Sequence, residues 1–395
     1  MTQQFRTKNL WVRVVGMAML AAGAVAHANR IQTNTAAETS VAGSAIVSPE
    51  VRSSTPMREL WVTQMRDSKI SILSFPEGEV QEEICLPPGT QPHITTFYSG
   101  DYAYISGLGN GTLSIVDANS LSLVETLKFA PAGVHQAKVS PDGTTMLVSV
   151  LSTQMVHKVA VDEAKQSWMP VDSVSFAPLE KRPVCAIFRA DSRRAYVSTL
   201  PDGIVIVDVD SMAILGTLNT DGFIACGMIK PSADADHAVI AASGGGGHIY
   251  TLDMTNDTLI DRGTLGAASW HSFIMTPDES LGFGSSPNSD EVVMIDLTTD
   301  PVTNLGTLLL EPLPGSPNNQ PDAMGGGEVI VDGTLPVSLR AAGQVALVDA
   351  ASPETKTFVE ITDPSPPGTF DPMTCIGCSV HGVTVRPIVE RASTR

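Results

Sequence analysis

Four histidines stand at matching places in short repeated segments, and their side chains are the ones in this sequence best suited to chemistry. Imidazole is the commonest protein ligand for metal ions near neutral pH, and it suits copper, zinc, iron and nickel. Three or four imidazoles on one rigid frame form a good ligand set for such an ion. The sequence therefore predicts a transition-metal site, with the candidate ligands His93, His135, His271 and His381.

A C-x-x-C pair, Cys375 and Cys378, lies just before His381. Such a pair can be a redox disulfide, two metal ligands or a strained local bridge. A tetrahedral structural zinc site usually takes four ligands, often from two such pairs, and only one pair is present. The two cysteines and His381 can still serve a soft metal, so copper is the favoured ion. In an oxidising compartment a simple disulfide is the favoured interpretation of the pair, with the metal ligands as the alternative.

A purely structural role is the alternative for the histidines. An imidazole at the start of a repeat can hydrogen-bond the backbone of the neighbouring repeat and do no more than hold the two together. A single histidine in that place is better explained by the structural role, whereas four on one rim are better explained by a ligand site. His157, His237 and His248 lie elsewhere in the repeats and are predicted to be structural or exposed.

The elements that position these residues follow from an internal repeat. A short apolar strand that ends in Asp, before a polar turn, recurs about every 40–50 residues. An Asp or Ser side chain suits that place because it can bond nearby backbone amides and fix the turn. The strand ends are Ser74, Asp117, Asp162, Asp208, Asp253, Asp296 and Asp349. With three further short strands around each copy, the sequence predicts an all-β fold, a seven-bladed β-propeller of four-stranded blades.

The last strand is predicted to close the ring. The first blade starts with "RELWVTQ" at 58–64, which matches a second strand, so its innermost strand is missing from the amino-terminal side. The isolated strand "SVHGVTVRP" at 379–387 can supply it, which leaves few free sheet edges. Two smaller β domains are the alternative, but they leave the sevenfold repeat unexplained.

The leading strand of each blade lines a propeller's central channel, and its start lies at one mouth. Aligning these strands places one residue of each blade at that rim, in the order His381, His93, His135, Val184, Ala225, His271 and Asp322. Cys185 and Cys226 each follow a rim position, so strand alternation turns them away from the channel. They are predicted to be small buried residues, and a bridge between them requires Cα atoms within ~7 Å.

The first 28 residues resemble a secretory leader. They contain three cations, an apolar stretch from Val14 and a small-x-small end at Ala26–Ala28, which predicts export and cleavage to a periplasmic or secreted protein. The apolar run is shorter than the ~20 residues of a spanning helix, and no later segment is long enough, so no membrane span is expected in the mature chain. The predicted organisation is a signal peptide at 1–28, a disordered linker at 29–56, the propeller at 57–388 and a tail at 389–395.

The charge argues against a nucleic-acid partner. Removing the three cations of the leader changes the formal net charge from −18 to −21. Such a surface repels phosphate backbones.

The leading strands "HQAKVSPDG" and "HSFIMTPDE", with the lines "YVST" and "IVIVD", resemble YVTN-type propellers. These belong to a wider superfamily that includes the cytochrome d1 domain and the lactonase-type seven-bladed propellers. The resemblance implies the fold over nearly the whole mature chain, but one fold hosts many functions. In the cytochrome d1 family, a leading-strand histidine before a Ser-Pro turn is an axial haem ligand. The resemblance implies that role for His135, in "GVHQAKVSPDG", with a haem-type cofactor as the alternative to a bare ion.

Three functions are therefore expected, in order of preference. The first is an exported propeller that binds a transition metal or metal cofactor at the channel mouth and possesses, if it is an enzyme, a redox or metal-assisted activity. The second is a non-catalytic propeller that binds a small molecule or a protein partner at the same mouth. The third, from the fold resemblance alone, is a lactonase-like hydrolase.

Overall fold

A computed structural model gives the fold of the protein. It describes residues 58–224, 229–232, 234–244, 246–266, 270–285, 291–310, 323–324, 333–364 and 379–387. The chain separates into two units, Met1–Ser54 and Thr55–Arg395, and all of the described residues belong to the second.

Seven four-stranded antiparallel sheets make up the described chain. Strands of the first three sheets are β1 (Arg58–Gln64), β2 (Lys69–Phe75), β3 (Val80–Cys85), β4 (Pro92–Phe97), β5 (Tyr102–Gly107), β6 (Thr112–Asp117), β7 (Ser122–Lys128), β8 (Val134–Val139), β9 (Thr145–Val150), β10 (Met155–Asp162) and β11 (Ser167–Ser175). Two short 3-10 helices, Glu163–Lys165 and Ala177–Leu179, flank β11. None of the described helices is long and apolar enough to cross a membrane.

The remaining four sheets repeat the same up-and-down order. Their strands are β12 (Arg182–Phe188), β13 (Arg194–Leu200), β14 (Ile204–Asp208), β15 (Ile214–Leu218), β16 (Ile229–Pro231), β17 (His237–Ala242), β18 (His248–Asp253), β19 (Thr258–Thr264), β20 (Ser272–Met275), β21 (Leu281–Ser285), β22 (Glu291–Asp296), β23 (Thr303–Leu309), β24 (Ala323–Met324), β25 (Thr334–Leu339), β26 (Gln344–Asp349) and β27 (Lys356–Glu360). The predicted all-β architecture of seven four-stranded blades is thereby confirmed.

The final strand, β28 (Val380–Val385), completes the first blade. That sheet has the order β28-β1-β2-β3, and β28 runs antiparallel to β1 with Val383 opposite Val62 and Val385 opposite Leu60. The leading strands of the seven sheets then contact one another in a closed circle, β28, β4, β8, β12, β16, β20, β24 and back to β28. Closure by the carboxy-terminal strand is as the sequence predicted.

Apolar side chains packed between neighbouring blades hold the ring together. One cluster joins the last blade to the first, through Val345 and Leu347 on β26 and Leu60, Val380 and Val383 on the first blade. Because both faces of each blade are covered, the inner strands are buried almost continuously instead of alternating between core and solvent.

The Asp residues at the strand ends fix the turns that follow them. An Asp117 carboxylate oxygen accepts hydrogen bonds from the backbone N–H groups of Asn119 and Ser120, at 2.8 and 2.9 Å. Asp253 and Asp349 repeat this arrangement. Hydrogen bonds to the ionised form lower the pKa of Asp117. The role expected of the repeated Asp is confirmed.

Candidate histidine site

The four predicted histidines come together in the channel. The ring of His93 stacks between those of His381 and His135, with centroids 3.9 and 4.3 Å away. The ring of His271, from the sixth blade, meets His381 edge-on with centroids 6.3 Å apart. Residues that are far apart in the chain thus form one cluster, which is called the histidine cluster below. Two other predicted rim positions, Ala225 and Asp322, lie outside the described residues.

Irregular pairing near the start of three leading strands bends them where His381, His93 and His135 stand. The register of β4 with β5 shifts between Pro92 and Thr95, and that of β8 with β9 shifts between Val134 and Gln136. A bulge of this kind bends the strand and redirects its side chains. The pairing of β28 with β1 and of β12 with β13 shifts at the equivalent places. Because β12 has the same bulge with Val184 at that place, the bulge is a feature of these blades and does not depend on histidine.

Each histidine along one arc of the ring hydrogen-bonds the next blade. Nδ1 of His381 lies 3.1 Å from the carbonyl oxygen of His93, and Nδ1 of His93 lies 3.3 Å from that of His135. The His135 imidazole in turn hydrogen-bonds the backbone of Val184. A carbonyl oxygen can only accept, so Nδ1 of His381 and of His93 carries the proton. Their Nε2 atoms therefore hold a lone pair, which is the form that binds a metal ion.

The four histidines of the cluster differ in their exposure to solvent. His381 is 0% and His93 is 4% exposed, whereas His135 and His271 are partly exposed. Nε2 of His381 and Nδ1 of His271 are buried and have no hydrogen-bond partner. Buried polar atoms are nearly always paired, so these two need an explanation, such as a ligand.

All four imidazoles are held in the neutral form at neutral pH. Burial lowers the pKa of His135 to about 4. Burial, with the charge of Arg340 next in importance, holds the pKa of His271 and of His381 well below the ordinary value of 6.5. Burial and the adjacent imidazoles of His381 and His135 do the same to the pKa of His93. A metal ion entering the cluster would not have to displace protons from these rings.

The imidazoles are stacked and not already spread around an ion. Within the described part of the chain, no group of three or more His, Cys, Asp or Glu side chains is arranged to hold a metal ion. Cys375 and Cys378, the other predicted ligands, lie outside the described residues. Neither their bonding nor their distance from His381 is therefore part of the described structure.

Cys185 is fully buried, as predicted, but the interpretation of it as a simple filler is wrong. It is disulfide-bonded, and its Sγ lies 3.8 Å from Nδ1 of His135. The register of β12 shifts between Pro183 and Ala186, which interrupts the alternation on which the prediction rested. The proposed partner Cys226 lies outside the described residues. Cys85 is a free, exposed thiol.

The other histidines have the structural or surface positions expected of them. His157 is half-buried against Phe129, with ring centroids 5.0 Å apart. Nε2 of His237 lies 2.8 Å from Glu279, and His248 stands between Asp221 and Asp261. His157, His237 and His248 lie on β10, β17 and β18, none of which is a leading strand.

Several residues that support the cluster were not among the predicted ones. The Ser106 hydroxyl donates to the carbonyl oxygen of His135 at 2.8 Å, and the Thr63 hydroxyl donates to that of His93 at 3.2 Å. A hydroxyl near the end of the second strand recurs in the segments "WVTQ", "YISG" and "YVST", so a signal for them was present. Arg340, which is fully buried, gave no such signal.

A glycine allows the close approach of the first two blades. A Cβ atom on Gly382 would lie 2.6 Å from the carbonyl oxygen of His93, which is the acceptor for His381. Only glycine fits there without moving the stacked rings.

No family model matches the chain, and no curated protein matches its sequence. Solved structures do match. The chain is similar to a hydrazine synthase structure from Kuenenia stuttgartiensis at 16% identity and a TM-score of 0.57, over 79% of this chain and 100% of that one. It is similar to the dihydro-heme d1 dehydrogenase NirN in complex with DHE at 15% identity and a TM-score of 0.53, over 78% and 74%.

A third similar structure is a putative 6-phosphogluconolactonase from Bacteroides fragilis, at 16% identity and a TM-score of 0.52, over 64% of this chain and 81% of that one. Likeness at this level of identity carries the fold and not the function. The chain is a seven-bladed β-propeller with the fold of the d1-like and lactonase-like structures, and it carries a cluster of four histidines in its channel.

Proposed function

We propose that the protein is an exported propeller that binds one transition-metal ion through the histidine cluster, for a redox or metal-assisted reaction. The observation that carries the proposal is the pattern of hydrogen bonds from Nδ1. Metal-binding histidines characteristically donate their other ring N–H to a carbonyl or carboxylate, which fixes the tautomer. His381 and His93 both do so, and Nε2 of His381 is left buried without a partner.

The donor set suits an ion that favours imidazole, such as copper or zinc, with His93, His135, His271 and His381 as ligands. Because the rings are stacked, loading the ion requires some of them to turn about their side-chain bonds. Arg340 adds positive charge near the cluster. His135 and His271 are partly exposed, so they are the imidazoles that an incoming ion meets first. A bound ion would serve as a Lewis acid or an electron carrier.

Export is part of the proposal and rests on the leader-like first 28 residues. The Cys185 disulfide supports it, because structural disulfides persist mainly in oxidising compartments. Release of the mature protein with a new amino terminus near Ala28, found by mass spectrometry of the periplasmic or secreted fraction, tests this part separately.

A haem-type cofactor held by His135 is the second candidate. His135 is one of the two partly exposed members of the cluster, so it can meet a group larger than an ion. One structure of similar fold is, by its name, a dihydro-heme d1 dehydrogenase. An intense porphyrin-type absorption band in the purified protein, far stronger than the d–d bands of Cu²⁺, distinguishes this cofactor from a bare ion.

The experiment is a metal titration of the chelator-treated mature protein with Cu²⁺ and with Zn²⁺. The wild type is expected to bind about one equivalent in the cluster, and the double variant His135→Ala, His381→Ala to lose it. The variant His237→Ala, His248→Ala, which removes two histidines outside the cluster, is the matched control and should retain it. Equal binding by both double variants would refute the proposal, and no binding by the wild type would favour a propeller that binds a small molecule or protein without metal.

A further inference from the structure

The disulfide beside the histidine cluster has no role in the proposed metal site as it stands. Cys185 is 0% exposed and packs with Ile94 and Val184. Its Sγ lies 3.8 Å from Nδ1 of His135. A disulfide sulfur is a poor metal ligand, whereas a thiolate is a strong ligand for soft ions. The oxidation state of Cys185 therefore decides whether sulfur can take part in the cluster.

The spacing of sulfur and nitrogen matches that of two ligands on one ion. With metal–sulfur and metal–nitrogen bonds of about 2.3 and 2.0–2.1 Å at a tetrahedral angle, the two donor atoms are about 3.6 Å apart. The observed 3.8 Å needs little adjustment. The His135 imidazole also hydrogen-bonds the backbone of Val184, which holds the ring beside Cys185.

We propose that the Cys185 disulfide is a redox control of the histidine cluster, and that reduction turns Cys185 into a ligand for a soft ion such as Cu⁺. This rests on the proposed metal-binding function for its imidazole ligands. A dithiol supplies two electrons and two protons: the protein S–S bond breaks, two protein thiols form, and the dithiol closes to its own disulfide. The Cys185 thiol then releases its proton to solvent when the ion binds.

Cadmium titration of the oxidised and the reduced protein tests the proposal. The background is Cys85→Ser, Cys375→Ser, Cys378→Ser, which removes the free exposed thiol and the C-x-x-C pair that could bind a soft ion by itself. Reduction is expected to produce an ultraviolet sulfur-to-cadmium charge-transfer band at one equivalent, and to tighten binding at least about tenfold. Cys185→Ser in the same background should show neither change. Equal affinity in both oxidation states, or a band that persists in Cys185→Ser, would overturn the proposal.

A second measurement avoids any cysteine variant that fails to fold. In the reduced parent protein, the ¹¹³Cd NMR resonance of the bound ion should lie downfield of its position in the oxidised protein, as a thiolate ligand requires, and an unchanged resonance would count against the proposal. Failure of the redox control and failure of the histidine site give different results. If the oxidised protein binds an ion through its histidines but reduction adds no band, only the redox control fails. If a Cys185-dependent band survives His135→Ala, His381→Ala, the histidine site fails instead.

Discussion

Removing the carboxy-terminal strand is expected to abolish cooperative folding of the propeller. Deletion of residues 379–395 takes away β28, including the fully buried Val380 and Val383. Each buried valine contributes about 1.5–3 kcal/mol, against a typical total stability of about 5–15 kcal/mol. The deletion also leaves β1 as an exposed apolar edge, which promotes aggregation. Thermal unfolding followed by circular dichroism should show no sharp transition.

Complementation in trans supplies the control for this deletion. A synthetic peptide of residues 379–387 should pair with β1 and restore a cooperative transition. The same peptide carrying Val383→Asp should fail, because it places an unpaired carboxylate in the cluster of Leu60, Val345 and Val383. If the truncated chain melts as the full chain does, without any peptide, ring closure by β28 does not stabilise the protein.

Acidification is expected to destabilise the protein well above the pH at which carboxylates titrate. The unfolded chain takes up protons on its histidines below pH 6.5, whereas the folded pKa of His135 is about 4 and the pKa of His381 is lower than 6.5 by a wide margin. The stability that these neutral rings provide is therefore complete above pH 6.5 and is lost as the pH falls toward the folded pKa values. Each fully buried histidine accounts for roughly 2 kcal/mol between pH 7 and pH 5.

Urea unfolding at pH 7, 6 and 5 measures this loss. His381→Asn keeps a side-chain N–H for the carbonyl of His93 but cannot titrate, so the fall in stability between pH 7 and pH 5 should shrink by roughly 2 kcal/mol. His237→Gln, outside the cluster, is the control for losing any histidine. The turn carboxylates such as Asp117 act in a separate window, because their lowered pKa confines them to more acidic solutions. An unchanged pH dependence in His381→Asn would mean that the ring is not neutral and buried as described.

The sequence was sufficient for the fold because the repeat contains redundant information. Six strand-ending Asp residues and Ser74 mark the blades, and each fixes a local turn whatever happens elsewhere. The isolated strand at 379–387 could be assigned because only the first blade lacks an innermost strand in a closed ring. Alternation and turn chemistry act over a few residues, so they can be recognised without tertiary contacts.

The site was only partly predictable, because part of its geometry depends on contacts between residues that are far apart in the chain. The four histidines were found from their equivalent places in the repeat, but stacking of His93 between its neighbours depends on bulges and on Gly382, which lets two blades approach. Cys185 was correctly predicted to be buried, but its place beside His135 was missed because a bulge breaks the alternation that the prediction assumed. The buried Arg340 depends on packing from several blades, which no local pattern records.

Anomalous diffraction from crystals of the copper-loaded mature protein is the decisive measurement for the histidine site. We expect one strong copper peak in the channel, within about 2.1 Å of ring nitrogens from at least three of His93, His135, His271 and His381. The Nδ1 contacts from His381 to His93 and from His93 to His135 should persist where those rings ligate through Nε2. A fully occupied peak elsewhere, or none in the channel with the four imidazoles still stacked, would contradict the claim that these histidines form a metal site.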